Sequence, residues 1–507
     1  MNLEAILGEY GPMTTSKATQ LLQKQGLSSD AARQRVSRRG KNVKILYGLQ
    51  FPKRARFIYL DSQYGTADYW TALIRSIEET NPAYAAALAG LRARGGVCLQ
   101  THFDVVSGSP MKQKGQLASS VVLANLVNVK LVEILEIEGI GTCVSLTESG
   151  ITEVIKAKRM RARLMTEGVL LDAIRSWAGR MNIASPNVTK IRDEHPEPKF
   201  ATFRFDLTGP SYLRPMVRFS ASKPAPGFLV VDALLGQELD SKMVSAFLRK
   251  CGMLHALKKV RPFLPMLVAD SFTPDALRLC RAQGIIATSP DTVFGRDVAK
   301  ALEDLLQTLT HVAPATPSQI EGLFKRLSAI EGAAGNLRGA FFELIVGHCV
   351  GELEGGSVAI GLIVTDLKNG KRAEIDIRLV KQRVVKVYEC KGYQPTSAIR
   401  RPEIENWLTE KVPIIYSALK QDDQFSNAEI TFEFWTSGSF DTESLELLRT
   451  AKASTRKYTI DWKAGTDVHK YAQGLAAPGL RKMLNEHYFN HPLESIRKDD
   501  KQQTYEN

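Results

Sequence analysis

The sequence has few cysteines and no long hydrophobic run. Six cysteines are scattered over 507 residues, and none forms the close pairs of a zinc site or a disulfide framework, so we expect reduced, mostly buried thiols. No apolar run reaches the roughly 18 residues that a transmembrane helix needs. The first residues carry Glu4 and Glu9 where a signal peptide would carry basic residues followed by an apolar run. These absences predict a cytoplasmic protein that has no membrane partner.

The overall composition predicts a multidomain protein with an anionic partner. With 507 residues and 44% hydrophobic composition, the chain can bury several cores, and we expect two to four domains. Lys and Arg number 67 against 54 Asp and Glu, which gives a formal net charge of +13. Such an excess favours nucleic acid as a partner. No GKS or GKT phosphate-binding loop is present, so ATP use is not supported.

Residues 1–62 read as three short helices followed by a strand hairpin, the order of a winged helix-turn-helix. Between Asp30 and Arg56 the segment is strongly basic, and Asp30 is its single acid. A basic helix and wing suit phosphate contacts with some reading of base edges, so we predict a DNA-binding domain. A solvated basic face or a protein-binding wing is the alternative. The predicted DNA contacts are Arg33, Arg35, Arg38, Arg39, Lys41, Lys53 and Arg54.

The central parts of the chain give weaker patterns. In residues 63–155, TADYWTALIRSIEE and SSVVLANLVNVKLVEIL have helical periodicity, whereas LVEILEIEGIGTCVSL suggests a hairpin. This region is therefore predicted as a helical domain or a second winged helix. The Pro- and Thr-rich segment THVAPATPS, residues 310–318, is the best candidate for an interdomain linker. It separates a domain at 156–312 from a C-terminal domain at 318–507.

The C-terminal domain places acidic residues on a helix and two strands. LRGAFFELIVGHCV predicts an amphipathic helix with Glu343 beside its apolar stripe. Asn369-Gly370 predicts a hairpin turn before the strand AEIDIRLV. Alternation predicts Ile375, Ile377 and Leu379 on one face of that strand and Glu374, Asp376 and Arg378 on the other. In the next strand, VVKVYECKGY, the residues predicted to share a face are Val385, Val387, Glu389 and Lys391.

Two carboxylates on adjacent strands supply the hard oxygen ligands that Mg²⁺ prefers. A nearby ammonium can orient or help deprotonate a metal-bound water, and it offsets the charge that develops on a phosphate under attack. An E-x-K pair on a strand is more often a solvated ion pair of little energetic value. The apolar flanks of Glu389 and Lys391 instead indicate a central strand. Together with Glu343 and Asp376, this arrangement favours phosphodiester cleavage.

This order of helix and strands resembles the PD-(D/E)xK nuclease superfamily, and the FFE, IDI and ECK segments resemble its Mrr-type and Holliday-junction-resolvase-like branches. The resemblance covers roughly residues 320–460 and implies a restriction-endonuclease-like α/β/α core. It implies that Asp376, Glu389 and the Cys390 carbonyl bind Mg²⁺, with Mn²⁺ as an alternative. It further implies that Lys391 positions the attacking water, that Glu343 completes the acidic site, and that Gln394 is a polar helper. Ile375 stands where the proline of the family name is found.

Residues 156–312 repeat parts of this pattern without the lysine. FLPMLVADSF followed by TPDALRLCRAQG matches the strand and helix that close the C-terminal domain. By the same alignment, Asp206 and Asp232 stand for the metal acids and Glu167 for the helix acid. Leu234 falls at the position of Lys391. We therefore predict a degenerate nuclease-like domain here, although chance similarity of two ordinary strand-helix units is an equal alternative.

Taken together, the sequence predicts an α/β multidomain, Mg²⁺-dependent DNA endonuclease with an N-terminal winged helix. A role in restriction or anti-phage defence rests on analogy alone. The alternative is a DNA-binding regulator or scaffold that retains a non-cutting nuclease fold, and RNA is not excluded as a substrate. A homo-oligomer or an accessory defence protein is left open as a further partner.

Overall fold

The computed structural model describes residues 2–49, 51–147, 153–185, 187–219, 224–311, 313, 315–328, 334–393 and 397–489. The chain is mixed α/β, which confirms that part of the predicted fold class. Within the described part of the chain, no helix is both long enough and apolar enough to cross a membrane.

The N-terminal segment consists of three helices and a small sheet, as predicted. Its three strands are all antiparallel and have the order β1-β3-β2. Asn2, Thr14 and Ser28 cap the three helices by accepting hydrogen bonds from main-chain amides. The elements are α1 (Leu3–Tyr10), β1 (Met13–Thr14), α2 (Thr15–Lys24), α3 (Ser29–Ser37), β2 (Val43–Leu46) and β3 (Phe57–Leu60).

The second segment repeats the strand order of the first and has one additional α-helix. Its elements are α4 (Ala67–Thr80), α5 (Pro82–Arg92), β4 (Val97–Leu99), α6 (Phe103–Val106), α7 (Ser119–Asn128), β5 (Val132–Glu138) and β6 (Gly141–Leu146). The strand order β4-β6-β5 matches β1-β3-β2 of the first segment. The predicted hairpin is present as β5 and β6, but the helix predicted over SSVVLANLVNVKLVEIL ends at Asn128 and its last residues form β5.

The third segment is built on one long helix and a five-stranded sheet. Its sheet has the order β15-β14-β13-β10-β7. The first elements are α8 (Glu153–Arg180), β7 (Lys190–Ile191), β8 (Lys199–Phe200), β9 (Phe203–Arg204), β10 (Leu207–Ser211), β11 (Arg218–Phe219), β12 (Pro224–Ala225) and β13 (Gly227–Leu239). The remaining ones are α9 (Ser245–His255), β14 (Phe263–Phe272), α10 (Pro274–Ala282), β15 (Ile286–Thr288), α11 (Pro290–Phe294) and α12 (Arg296–Thr310).

The C-terminal segment has the same plan. It begins with α13 (Pro317–Ser328), α14 (Ala334–Glu354), β16 (Ser357–Thr365), β17 (Arg372–Lys381), β18 (Val384–Lys391), β19 (Ala398–Ile399) and α15 (Arg401–Asn406). A π-helical turn at Trp407–Lys411 joins α15 to the following helix. The later elements are α16 (Val412–Gln421), β20 (Glu429–Thr436), β21 (Ser439–Phe440), α17 (Thr442–Ser454), β22 (Thr459–Lys463), α18 (Gly465–Ala472) and α19 (Pro478–Leu484), and a second π-helical turn spans Asn485–Phe489.

The sheets of the third and C-terminal segments share order and strand directions. The strands β7, β10, β13, β14 and β15 correspond in position to β16, β17, β18, β20 and β22. In both sheets the first two pairings are antiparallel and the last two are parallel. A long helix precedes each sheet, and further helices join each parallel strand to the next. The likeness of the two segments therefore extends over the whole sheet.

The segments are packed tightly against one another. One hydrophobic cluster joins α8 and β13 of the third segment to α14 and β17 of the C-terminal segment. The eight-stranded sheet of the C-terminal segment also includes β4, β5 and β6, because β5 pairs in parallel with β17. The predicted linker is short, since α12 ends at Thr310 and α13 begins at Pro317. Residues from the earlier segments consequently lie beside the C-terminal site.

Candidate active site

The predicted acids meet where β17 and β18 separate. β17 pairs with β18 from Ile377↔Tyr388 onward and with β5 at Arg372 and Ala373, so Glu374, Ile375 and Asp376 lie between the two pairings. At this point the main-chain amide of Cys390 donates to Asp376 Oδ2 at 2.8 Å. We call residues 374–376 of β17 and 389–391 of β18 the fork. The fork brings the Cys390 amide to Asp376 and the Lys391 amine to Glu389 within the sheet.

The alternation predicted for AEIDIRLV is wrong at the fork. Ile377 and Leu379 pack in the cluster that includes α14, as part of one face. Ile375 instead packs with Trp407 and the residues of α16 on the opposite face. Leu362 of β16 lies opposite Ile375 and Ile360 lies opposite Ile377, which leaves Gly361 across from Asp376. Gly361 has a φ of +60°, a conformation that L side chains rarely adopt. The pairing is interrupted at this position without a shift in register, and the faces of β17 reverse across it.

Helix α14 passes directly over the end of β18 and places Glu343 beside the fork. A Cβ atom added at Gly392 would lie 2.5 Å from the Arg338 carbonyl oxygen and 2.7 Å from Phe342 Cβ. Such a separation is too short for any side chain, so only glycine permits this approach of helix and strand. Glu343 is 5% exposed and follows Phe342 on the buried side of the helix.

Arg161, which sequence reasoning missed, links three of the acids. It lies on α8, 182 residues before Glu343, and its Nη1 and Nη2 atoms donate to the two carboxylate oxygens of Glu343 at 2.9 and 2.5 Å. Its Nε lies 2.5 Å from Glu374 Oε1, and its Nη2 lies 3.7 Å from Asp376 Oδ1. Bidentate guanidinium-carboxylate pairs of this kind are strong and directional.

Two lysines complete the site from the other side. Lys391 Nζ lies 2.8 Å from Glu389 Oε1. Lys411, which is 4% exposed, binds the second oxygen of Glu389 and lies 3.6 Å from Asp376 Oδ1. It ends the π-helical turn and fills the space between β18 and the β5–β6 turn, where Gly139 adjoins it. Contacts thus run continuously from Glu343 to Lys391.

Burial and pairing shift the protonation of these groups in different directions. Burial raises the pKa of Glu374 to about 8, and burial also raises the pKa of Glu343. Burial opposes ionisation of Asp376 too, but Lys411, Lys391 and Arg161 together hold its pKa below the ordinary value. Burial alone would lower the pKa of Lys391, yet Glu389 and Asp376 raise it above its ordinary value. At neutral pH the fork therefore contains an ionised Asp376 and a charged Lys391.

The structure brings Glu343, Asp376, Glu389, Cys390 and Lys391 close together. Gln394 lies outside the described residues. Three charged residues of the site were missed as participants, namely Arg161, Glu374 and Lys411. Glu374 had a visible signal, because it stands two residues before Asp376 and was expected on the same face. Arg161 had none, because it comes from a distant helix.

The donor types at the fork suit a hard divalent cation. Asp376, Glu389 and the Cys390 carbonyl would supply three oxygen ligands from two neighbouring strands. Their carboxylate oxygens, however, face Arg161, Lys391 and Lys411 in the structure. Among the described residues, no three His, Cys, Asp or Glu side chains are arranged as a metal-binding group. The chemistry of the donors fits a metal ion, and the surrounding cations compete with one.

A second buried ionic cluster lies at the matching place in the third segment. The Ala233 amide donates to Asp206 Oδ2 at 2.9 Å, as the Cys390 amide donates to Asp376. The register also matches, because Leu207 pairs with Val231 as Ile377 pairs with Tyr388. Lys250 on α9 lies 2.5 Å from Asp232 Oδ2, in the role that Lys411 has toward Glu389. Leu234 is buried in an apolar cluster at the position of Lys391.

Arginines neutralise the remaining acids of this second cluster. Arg94 Nη2 lies 3.0 Å from Asp206 Oδ2, and Arg192 Nη1 lies 3.0 Å from Glu167 Oε2 and 3.1 Å from Asp206 Oδ1. Burial would raise the pKa of Asp206, but Arg94 and Arg192 hold it well below the ordinary value. Glu167 and Asp206 have no exposed surface. The cluster is enclosed and its acids are balanced by the protein's own cations.

The predicted DNA contacts lie on the surface of the N-terminal segment. They occupy the second half of α3, the turn that follows it and a 3₁₀ turn at Pro52–Arg54. Each of the seven is exposed: Arg33, Arg35, Arg38, Arg39, Lys41, Lys53 and Arg54. Arg33 has Asp30 as an ion-pair partner at 3.9 Å, a contact of little energetic value at such an exposed position.

Comparison with known proteins leaves the family open. No protein-family model matches the chain, and no curated protein matches it. Among solved structures, the restriction endonuclease FokI bound to DNA is similar at 11% identity and a TM-score of 0.16. The match covers 60% of this chain and 61% of that one, which is less than two thirds of its length. A TM-score of this size supports no argument about fold or function.

Proposed function

We propose that the chain is a Mg²⁺-dependent DNA endonuclease whose active site is the fork. The observation that supports this most is the convergence of Glu343, Asp376, Glu389 and Lys391, which come from one helix and two strands. Buried ionisable groups with shifted pKa values that converge from distant parts of the chain are frequent at active sites. A role in restriction or anti-phage defence is compatible with this activity.

The proposed roles follow from the position of each group. Asp376, Glu389 and the Cys390 carbonyl would hold the metal ion, Glu343 would complete the acidic site, and Gln394 is the proposed polar helper. The ion, when bound, supplies Lewis acidity and lowers the pKa of a water molecule. Asp376 is suited to its role because its lowered pKa keeps it ionised. Its Oδ2 is held in place by the Cys390 amide.

Lys391 would act as a charged donor in this reaction. The neighbouring Glu389 raises the pKa of Lys391 despite burial, so the amine stays protonated at neutral pH. A protonated amine cannot remove a proton from water. It can orient the attacking water and stabilise the extra negative charge of the phosphate in the transition state. Deprotonation of the water by Lys391 is therefore disfavoured, and orientation of the water and stabilisation of the phosphate charge are the roles proposed for it.

The third segment, residues 156–312, is proposed as a degenerate nuclease-like domain that supports the other half and does not cut. Its sheet order and the Asp206–Ala233 hydrogen bond support the relation to the C-terminal segment. Leu234 stands at the position of Lys391, so the third segment lacks the proposed catalytic ammonium. Lys250 pairs with the remaining strand acid, Asp232. In this proposal the second cluster contributes to folding, and the metal ion binds at the fork.

The endonuclease activity is tested with supercoiled plasmid. Wild-type protein should nick the plasmid in Mg²⁺, and chelation by EDTA should stop the reaction. Asp376→Asn should lower the rate by at least about 100-fold, because it removes a ligand charge while keeping the side-chain shape. Asp423→Asn, at an exposed acid of the same segment, is the matched control and should retain the wild-type rate.

A wild-type protein that leaves supercoiled, linear, branched and single-stranded DNA uncut in both Mg²⁺ and Mn²⁺ would overturn the proposal. Cleavage of RNA but not of DNA would make RNA the substrate.

The alternative function, a DNA-binding regulator or scaffold, is favoured by one observation. Arg161 and Lys411 neutralise the acids of the fork much as Arg94, Arg192 and Lys250 neutralise those of the second cluster.

The N-terminal segment is proposed to engage DNA through its exposed basic residues. Replacing both Arg38 and Arg39 by alanine should weaken binding to a random-sequence duplex by at least about 10-fold. It should also reduce the slope of log affinity against log salt by up to about two, since each lost phosphate contact removes nearly one unit. Fluorescence anisotropy at several salt concentrations measures both quantities.

The control for this experiment removes the same charge elsewhere. Lys258 and Lys259 are exposed residues of the third segment, and their replacement by alanine lowers the net charge equally. If the two double variants lose the same affinity, the effect belongs to overall charge and the N-terminal interface is refuted.

A further inference from the structure

Arg161 lies where a cation bound to the fork acids would compete with it. Its two terminal nitrogens hold both oxygens of Glu343, and its Nε holds Glu374. It also lies 3.7 Å from Asp376 Oδ1, the oxygen that the Cys390 amide leaves free. A guanidinium in this position both repels a divalent ion and occupies oxygens that would attract one.

The main chain that carries Arg161 is firmly anchored. Lys156 donates to the Leu146 carbonyl at 2.8 Å, and Arg163 Nη2 donates to the Val97 carbonyl at 3.1 Å. One turn further along α8, Glu167 belongs to the second ionic cluster. Helix α8 therefore cannot easily move as a whole. The Arg161 side chain is 21% exposed, so part of it reaches the surface, and rotation of the side chain is the expected route by which its guanidinium leaves.

We propose that Arg161 is an internal competitor of the metal ion, and that its guanidinium must leave the acids of the fork before a divalent cation binds there. This inference rests on the proposed metal-dependent function. It makes the site composite, because Arg161 lies more than 150 residues before Pro317, the first residue of α13. It also makes metal loading a controlled step. Any event that draws Arg161 outward favours loading, and a nearby phosphate would do so.

The test measures metal binding directly, with Mn²⁺ as the probe. Titration followed by electron paramagnetic resonance gives the affinity of the full-length protein without any turnover. Arg161→Gln should bind Mn²⁺ at least about 10-fold more tightly than wild type, because the acids lose their competing charge. Its melting temperature without metal should fall, and saturating Mn²⁺ should raise it by more than in wild type, through linkage of binding to stability.

Two further variants keep the test decisive. Arg159 is exposed on the same helix, so Arg159→Gln controls for the loss of one charge and should bind Mn²⁺ as wild type does. Arg161→Lys keeps the charge but cannot span three acids, and its affinity should lie between those of wild type and Arg161→Gln. If Arg161→Gln does not fold, the lysine variant decides. Equal or weaker Mn²⁺ binding in every folded Arg161 variant overturns the inference.

The result also separates this inference from the proposed nuclease activity. Tighter Mn²⁺ binding by Arg161→Gln together with no DNA cleavage by wild type would support the competitor and refute the nuclease. Cleavage by wild type together with unchanged Mn²⁺ affinity in the Arg161 variants would support the nuclease and refute the competitor.

Discussion

Lys391→Ala is expected to lower the nicking rate on supercoiled plasmid by at least about 100-fold, the usual loss when one preorganised electrostatic group is removed from an active site. The variant should still fold, because Lys411 continues to pair with Glu389 and with Asp376. It should also still bind Mn²⁺, since Lys391 supplies no ligand. The measurement is the initial rate of conversion of supercoiled to nicked plasmid, with Mn²⁺ affinity determined in parallel.

Two comparisons make the Lys391 experiment specific. Arg383→Ala removes one positive charge from the exposed turn that precedes β18, and it should nick at the wild-type rate. Lys391→Arg keeps the charge but enlarges the head group beside Glu389, so partial activity is expected. Equal nicking by wild type and Lys391→Ala would remove Lys391 from the chemistry. Equal absence of nicking in both would favour the scaffold function.

The local parts of the site were predictable from sequence because each lies in one short element. The Asn369-Gly370 turn and the apolar alternation around it define β16, β17 and β18. They bring Asp376 beside Glu389 without knowledge of any other segment. The helix over Glu343 is present as predicted, but the amphipathic character predicted for it is wrong, because none of residues 337–350 is exposed. The helix approaches β18 closely at Gly392, and a pattern of hydrophobic residues does not predict this approach.

The cations of the site were not predictable in this way. Lys411 follows Thr409 and Glu410 on a helix, where lysine ordinarily faces water, and its burial depends on the turn at Gly139 of another segment. Arg161 lies in a basic run of α8 that reads as a solvated surface. Its burial depends on packing between α8 and α14. Charged residues acquire their partners through tertiary structure, and one-dimensional periodicity contains little information about them.

The reversal of faces in β17 has a related cause. Strict alternation requires a regular extended backbone. The pairing of β17 with β16 is interrupted at Asp376, and on its other edge β17 changes partner there from β5 to β18. Of the residues between the two partners, Glu374 and Ile375 keep their pairing with β16, and Asp376 does not appear in that register. This allows Glu374 and Asp376 to turn toward Arg161 while Ile375 packs on the opposite face.

The largest expected effect on stability comes from Lys250→Met. Lys250 has no exposed surface, and its Nζ donates to Asp232 Oδ2 at 2.5 Å and to the carbonyls of Val105 and Arg204, each at 3.2 Å. The variant leaves Asp232 buried without this partner, which typically costs about 3–5 kcal/mol in the free energy of unfolding. Chemical denaturation measures the loss, and Lys259→Met at an exposed position should change stability by less than about 0.5 kcal/mol.

The pH dependence and a second substitution distinguish a lost ion pair from lost packing. Burial raises the pKa of Asp232 even with Lys250 present, and removal of the lysine should raise it further. A raised carboxyl pKa in the folded state means that stability lost at high pH returns as the pH falls and Asp232 becomes protonated. The deficit of Lys250→Met should therefore shrink toward about pH 5, and adding Asp232→Asn should recover much of it at neutral pH. If the deficit is independent of pH and persists in the double variant, the cluster stabilises through packing alone.

Metal binding that survives loss of Asp376 and Glu389 but is abolished by Asp232→Asn would make the third segment a metal site.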